Sequence, residues 1–267
     1  MRVLATITAL AVLAAPVLSP AATGGDQVPP AATLTLPAEV LAYQSALLTA
    51  KVAGYLRRIP VDKGDKVRAG DLIADIEVPE LLADRLQFEA QVEVAKREYA
   101  RMQDAAKTAP DLVTPDNLDN ARGKLEVAQA QLDRVNALLG YARVTAPFSG
   151  TITARYVDAG AFIPVPSQGS QQSAAIVTLM DFSRVRIQMW VPETDAQRVR
   201  PGCRAEITAS ALPGQHLEAA VTRVSYALER NVRTMLAEID IENPHEALQP
   251  GMYLSVRLTP GVAPVRP

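Results

Sequence analysis

One short pattern occurs twice in this chain, and the duplication limits the possible folds more than any other feature. Residues 54–67 read GYLRRIPVDKGDKV and residues 150–163 read GTITARYVDAGAFI. Aligned without gaps, Gly54 falls on Gly150, Val61 on Val157, Asp62 on Asp158 and Gly64 on Gly160, while Leu56 and Val67 meet Ile152 and Ile163. Each copy reads as a strand, a turn around the Val-Asp-x-Gly step, and a second strand. Gly64 and Gly160 stand where such a turn needs positive φ. Two unrelated hairpins with the same turn chemistry would explain the identities; the matched apolar positions favour two related halves.

The intervening segment has the period of a coiled coil. Leu81, Arg85, Phe88, Val92, Ala95, Tyr99, Met102 and Ala106 step alternately by four and three, and only Arg85 breaks the apolar seam. Leu118, Ala121, Leu125, Ala128, Leu132, Val135 and Leu139 repeat the rhythm without exception. A seam of this width suits two antiparallel helices standing free of a globular core, against the alternative of two amphipathic helices lying flat on one. None of the 20 prolines falls in 80–109 or 116–146. Pro79 suits the first turn of one helix, with Glu80 beside the positive helix end. Thr114, Pro115 and Asp116 suit the start of the other, and Gly140 is expected to stop it. Gly123 falls on the outer face. Each arm is expected to reach roughly 35–40 Å at about 1.5 Å per residue.

Composition narrows the chemistry. The 27 Lys and Arg against 29 Asp and Glu give a net charge of -2, which argues against a nucleic-acid binder. Cys203 is the only cysteine, so no internal disulfide or cysteine-cluster metal site can form, and His216 and His245 are too separate to suggest one. Asp62, Asp65, Asp71 and Asp75 are read as turn and strand-edge carboxylates rather than a catalytic cluster. No G-x-S-x-G, H-E-x-x-H or phosphate-loop pattern appears. Trp190 and Phe182 are expected in a core, and Cys203 as a small buried residue beside the Pro201-Gly202 turn.

Residues 1–22 have a secretory layout: Arg2, an apolar run from Val3 to Ala15, then small residues at Ser19, Ala21 and Ala22. A cleaved leader and an exported, soluble protein are expected, an uncleaved anchor being the alternative. From Ser183 onwards short strands alternate with turns, in RVRIQMWV, RAEITA, EAAVTRVSY, TMLAEIDI and MYLSVRL. That spacing suggests a small barrel, to which residues 33–43 add a strand.

The stretch from Ala50 to Leu81 resembles the first half of a biotinyl/lipoyl-type domain, and Tyr141 to Ile163 resembles the second. Split lipoyl halves around a helical insertion resemble the periplasmic adaptor (membrane fusion, HlyD-like) proteins of tripartite efflux pumps. The T-A-P-F-S-G run from Thr145 to Gly150, together with TLMDFSRVRIQMWVPE and VRTMLAEIDIENPHEALQPGMYLSVRL, points to the RND-associated branch. The resemblance implies an elongated, multidomain α+β chain. In it a split lipoyl-like β-sandwich carries an inserted antiparallel α-helical coiled-coil hairpin and precedes a small antiparallel β-barrel. The division is 1–22 leader, 33–47 strand joining the barrel, 48–78 first lipoyl-like half, 79–140 hairpin, 141–182 second half, 183–259 barrel and 260–267 tail. Only TPGVAPVRP follows Leu258, so the membrane-proximal domain usual in the family is expected to be absent, either because the adaptor is compact or because the chain is shortened.

What the resemblance implies for function is contact without catalysis. The partners are an inner-membrane RND transporter, an outer-membrane channel and further copies of the chain in a ring, with no cofactor, metal or nucleic acid. The place is the periplasm, tied to the inner membrane through the pump. The hairpin tip would dock on the channel through Arg101, Lys107, Leu112, Val113, Thr114 and Asn117, although Leu112 and Val113 could equally cap the coiled-coil end. Adaptors often carry arginine, leucine and serine at fixed spacing there; this chain has Arg101, Met102 and Thr114, with a longer proline-bearing tip. Gly54, Gly64, Gly150 and Gly160 are the structural glycines of the lipoyl halves. An ABC-type exporter is the alternative pump. A lipoyl or biotinyl carrier is disfavoured, because Glu80 stands where a carrier needs its lysine. A solute-binding protein or hydrolase is disfavoured by the missing motifs.

Overall fold

The computed structural model describes residues 33–109, 113–164, 174–209, 211, 212, 214 and 216–259. The leader, Leu112 and the tail from residue 260 lie outside the described residues. Two long antiparallel strands, β1 (Leu34–Thr49) and β8 (Ala175–Pro192), pair along most of their length and form the spine. Their register slips between Ala42 and Gln44 on β1, opposite Val185 and Asp181 on β8. At that bulge one hydrophobic core ends and another begins. Ala38, Val40, Val185, Ile187, Met189 and Val191 belong to one, while Ala50, Ile176, Val177 and Leu179 belong to the other. A bulge re-aims the side chains on either side of it, so one pair of strands can serve two cores.

The first core is built by strands with period-two burial. β9 (Arg204–Ala209), β10 (His216–Ala220), β11 (Arg223–Glu229), β12 (Thr234–Glu242) and β13 (Tyr253–Thr259) join the spine in the order β10-β9-β13-β1-β8-β12-β11. A single helical turn, α3 (Glu193–Ala196), follows β8. The run 218–226, expected as one strand, is divided between β10 and β11. Val221 and Thr222 turn the chain there, Val221 exchanging backbone hydrogen bonds with Gly202 and Cys203. Trp190, expected in the core, is 40% exposed. It takes the outward phase of β8 opposite Leu236, while its neighbours Met189 and Val191 point inward. Cys203 is buried, and Phe182 packs against the core edge.

The second core encloses the duplicated pattern. β2 (Gly54–Arg58), β3 (Lys66–Val67) and β4 (Leu72–Glu77) come from the first lipoyl-like half, and β5 (Arg143–Thr145), β6 (Gly150–Arg155) and β7 (Phe162–Ile163) from the second. β5-β4-β2-β7 form one sheet, while β3 and β6 extend the β8 side of the other. Each copy is closed by the opposite one. The Gly64 N–H donates to Ile152 O at 2.8 Å, and the Gly160 N–H donates to Leu56 O at 2.7 Å. Ile152 N–H returns a bond to Asp65 O and Leu56 N–H to Ala161 O. Gly54 pairs with Ile163 as Gly150 pairs with Val67. Two unrelated hairpins would not exchange equivalent bonds residue for residue.

Between β4 and β5 run α1 (Pro79–Thr108) and α2 (Pro115–Tyr141). Their ends adjoin, since the Ile76 N–H donates to Ala142 O at 2.8 Å. Val92, Ala95 and Ala128 form a small core with Leu125 and Leu132 against it, and Lys124 pairs with Glu98 at 2.9 Å. Glu98 is therefore level with Lys124 and Ala95 with Ala128, so the helices run antiparallel. Every described seam position is buried or half-buried, while most of the positions between them are exposed. Gly140, expected to stop α2, lies inside it, and the helix ends at Tyr141 with the Ala142 N–H bonded to Leu139 O.

Candidate functional site

The glycines of the sandwich divide into two kinds. Gly64 and Gly160 adopt φ of 92° and 89° with open space around them, so the left-handed turn is what excludes a side chain. Gly54 and Gly150 instead open β2 and β6. A Cβ on Gly54 would collide with Glu77 O and come within 2.8 Å of Ile76 Cγ2, and one on Gly150 would stand 2.5 Å from Met180 O. The turn carboxylates are used locally. Asp65 Oδ2 accepts the Asp62 N–H, Asp62 Oδ1 accepts the Lys63 N–H, and Asp71 Oδ2 accepts the Arg68 N–H, all at 2.7 Å. The Lys63 N–H, with Arg155 beside it, holds the Asp62 carboxyl below its ordinary range. These aspartates hold turns.

One part of the duplication escapes the sequence reading. Leu48 and Thr49 pair with β8 as Val144 and Thr145 pair with β4. The Ala50 N–H donates to Ala174 O and the Ala146 N–H to Asp71 O, each at 2.9 Å, and both alanines are buried. The signal was present: T-A-x-x-x-G stands at 49–54 and again at 145–150. Nor does the sequence single out Asn243. Buried at the bulge, its amide donates to Phe182 O and Leu248 O and its Oδ1 accepts the Leu248 N–H. Lys66 then bridges the two modules through Glu246, 2.6 Å away.

The candidate contact residues gather at the end of the helices remote from the sandwich. Arg101 and Lys107 lie exposed on the last turns of α1, Lys107 within 3.3 Å of Asp104. Thr114 precedes α2 and its hydroxyl accepts the Asn117 N–H at 3.4 Å, a weak N-cap that occupies the side chain structurally. Asn117 is exposed and Val113 half-buried. Among the described residues, no group of three or more His, Cys, Asp or Glu side chains could hold a metal ion, and no helix is long and apolar enough to cross a membrane.

The comparisons agree with this geometry. Residues 44–179, just over half of the chain, match the family model for the RND MFP barrel-sandwich hybrid domain, and residues 184–262 match the CusB-like beta-barrel domain. The nickel and cobalt resistance protein CnrB of Cupriavidus metallidurans is 27% identical over 98% of this chain and 65% of its own length. The macrolide export protein MacA of Escherichia coli is 27% identical over 78% of this chain and 63% of its own. The chain thus spans somewhat less than two thirds of the curated relatives it matches. A solved MacA–MexA chimera carrying the Pseudomonas aeruginosa MexA α-hairpin domain shares the fold. Its TM-score is 0.69 at 22% identity, covering 86% of this chain and 81% of the chimera. With the barrel-sandwich hybrid and the following barrel both matched, in that order, the chain belongs to the RND-associated membrane fusion protein family.

Proposed function

We propose that this protein is a periplasmic adaptor that links an inner-membrane RND transporter to an outer-membrane channel for the efflux of small molecules. The observation that carries the reading is mechanical. α1 and α2 leave and re-enter the sandwich at adjoining points, Ile76 and Ala142, and have 30 and 27 residues. An antiparallel pair of that length is a coiled-coil hairpin that reaches roughly 40 Å from the sandwich at 1.5 Å per residue. The interlocked sandwich supplies a rigid base, and the barrel supplies a second contact surface at the other end of the spine. The protein works by shape and contact, without a cofactor or a catalytic group, and belongs in the periplasm against the inner membrane.

Of the tip residues, Arg101, Lys107, Val113 and Asn117 are the ones proposed to meet the channel. The test is recovery of partners from membranes of the native host with an affinity-tagged full-length chain. An RND transporter and an outer-membrane channel are the expected companions. An ABC-type exporter in place of the RND pump would reassign the pump, and recovery of neither class would sink the adaptor reading.

A further inference from the structure

Residues 47–51 and 143–147 are equivalent stretches of the two lipoyl-like halves, and both line one hollow of about 390 Å³ beside the last turn of α2. That volume is in the range of small-molecule sites. Thr49 stands in one half where Thr145 stands in the other, and neither hydroxyl makes a hydrogen bond among the described residues. The flanking positions do not match in charge. Arg143 is equivalent to Leu47, and Lys51 to Pro147. An apolar residue serves each position in the opposite half, so the duplicated frame does not itself call for either cation.

Both cations are exposed, and neither forms an ion pair among the described residues. Asp75 lies opposite Arg143 in the β4–β5 pairing but is turned to Arg58, 3.3 Å away. The Lys51 ammonium stands 4.6 Å from the centre of the Tyr141 ring. There it offsets part of the negative end of α2, whose last turn has no basic residue of its own. An ammonium over a ring face keeps N–H groups for a further acceptor. Nothing acidic lines this hollow. By contrast, the hollow at the joint of the two modules sets Asp181 and Glu246 beside Lys66, and one on α1 sets Asp104 beside Arg97 and Arg101. The rest of the wall is apolar, with Leu47 43% and Tyr141 45% exposed.

We propose that this hollow binds a small organic anion with an apolar body. Lys51, Arg143 and the two threonine hydroxyls hold its acidic group, and Leu47, Tyr141 and Pro147 receive its body. A cation pair without a carboxylate selects the charge, and the exposed apolar wall beside it favours an aromatic or branched acid over a bare inorganic ion. Such a ligand touches the first half, the second half and the end of α2 at once, so its binding ties the root of the hairpin to the sandwich. The inference goes beyond the adaptor reading and stands whether or not the chain bridges a pump and a channel.

The test is calorimetric titration of the purified full-length chain with naphthoate as the probe. Naphthoate should bind, and naphthylmethanol, the neutral alcohol of the same shape, should bind about tenfold more weakly because it lacks the charge-assisted bonds. Acetate, which has the charge without the body, should be weaker than naphthoate. Arg143→Gln and Lys51→Gln should each weaken naphthoate about tenfold and leave the alcohol unchanged, while Arg143→Lys keeps most of the affinity. Both side chains are exposed, so the melting temperatures of these variants should match that of the native chain. At saturation, naphthoate should slow amide exchange at the end of α2 and in β5 and leave β9, β12 and β13 unchanged. No binding of naphthoate, equal affinity for the alcohol or for acetate, affinity indifferent to both glutamine substitutions, or protection confined to the barrel would overturn the inference.

Discussion

The sandwich and the hairpin come from adjoining stretches of one chain, yet they are held together by different physics. In the sandwich each half completes the hydrogen bonds of the other, and a ring of fully buried side chains such as Leu56, Ile73, Ile152 and Ile163 fills the space between. Two backbone strands approach so closely at Gly54 and Gly150 that no side chain fits. The hairpin has no such interlock. Its central core is Val92, Ala95 and Ala128 with Leu125 and Leu132, and most of its surface meets solvent. The contrast teaches how two stabilities arise in one chain: long-range backbone pairing closes the sandwich, and a thin local seam holds the helices together.

The largest effect should follow from attacking the interlock. Gly54→Ala or Gly150→Ala should cost about 3 kcal/mol or more, by overpacking against backbone that cannot move aside. Thermal unfolding of the whole chain reads this. Gly64→Ala and Gly160→Ala meet no atoms and pay only for the left-handed backbone. They should cost about 1–2 kcal/mol each, and equal losses at all four glycines would erase the distinction between close approach and turn. On the hairpin, Val92→Ala should cost about 1–2 kcal/mol. The loss should stay local, seen as faster amide exchange along α1 and α2 with protection in β2, β4 and β6 unchanged. Thr114→Ala should loosen only the first turn of α2, by about 0.5–1 kcal/mol.

The smallest effect is a pH dependence. The Lys63 N–H and then Arg155 hold the Asp62 carboxyl below its ordinary range. A carboxylate with a depressed folded pKa contributes stability above its unfolded pKa and loses it as pH falls through the folded one. Asp62→Asn should therefore lower the melting temperature slightly at neutral pH, and the gap from the native chain should close in acid. A gap that widens in acid would mean the sign is wrong.

The helices and the duplicated turns were legible because their signals are local. A seam stepping by four and three, proline-free runs bounded by Pro79 and Pro115, and the Val-Asp-x-Gly steps each announce themselves within a few residues. What was hidden depends on partners distant in sequence. The T-A-x-x-x-G repeat at 49–54 and 145–150 shows no turn chemistry, and its meaning appears only when Ala50 and Ala146 are seen bonding to Ala174 and Asp71. Trp190 was placed in the core because aromatic residues usually are, but the strict alternation of β8 turns it outward.

If the hairpin acts by reach, as proposed, the sandwich should fold without it. Because Ile76 and Ala142 adjoin, residues 79–140 can be replaced by a short flexible link. The deciding measurement is accumulation of an exported compound in host cells lacking the chromosomal copy, complemented either by the full chain or by the hairpin-deleted one. The full chain should restore export, and the deleted chain, folded and present at equal level, should leave accumulation as high as in cells with neither. Export restored by the chain without its hairpin would contradict the account.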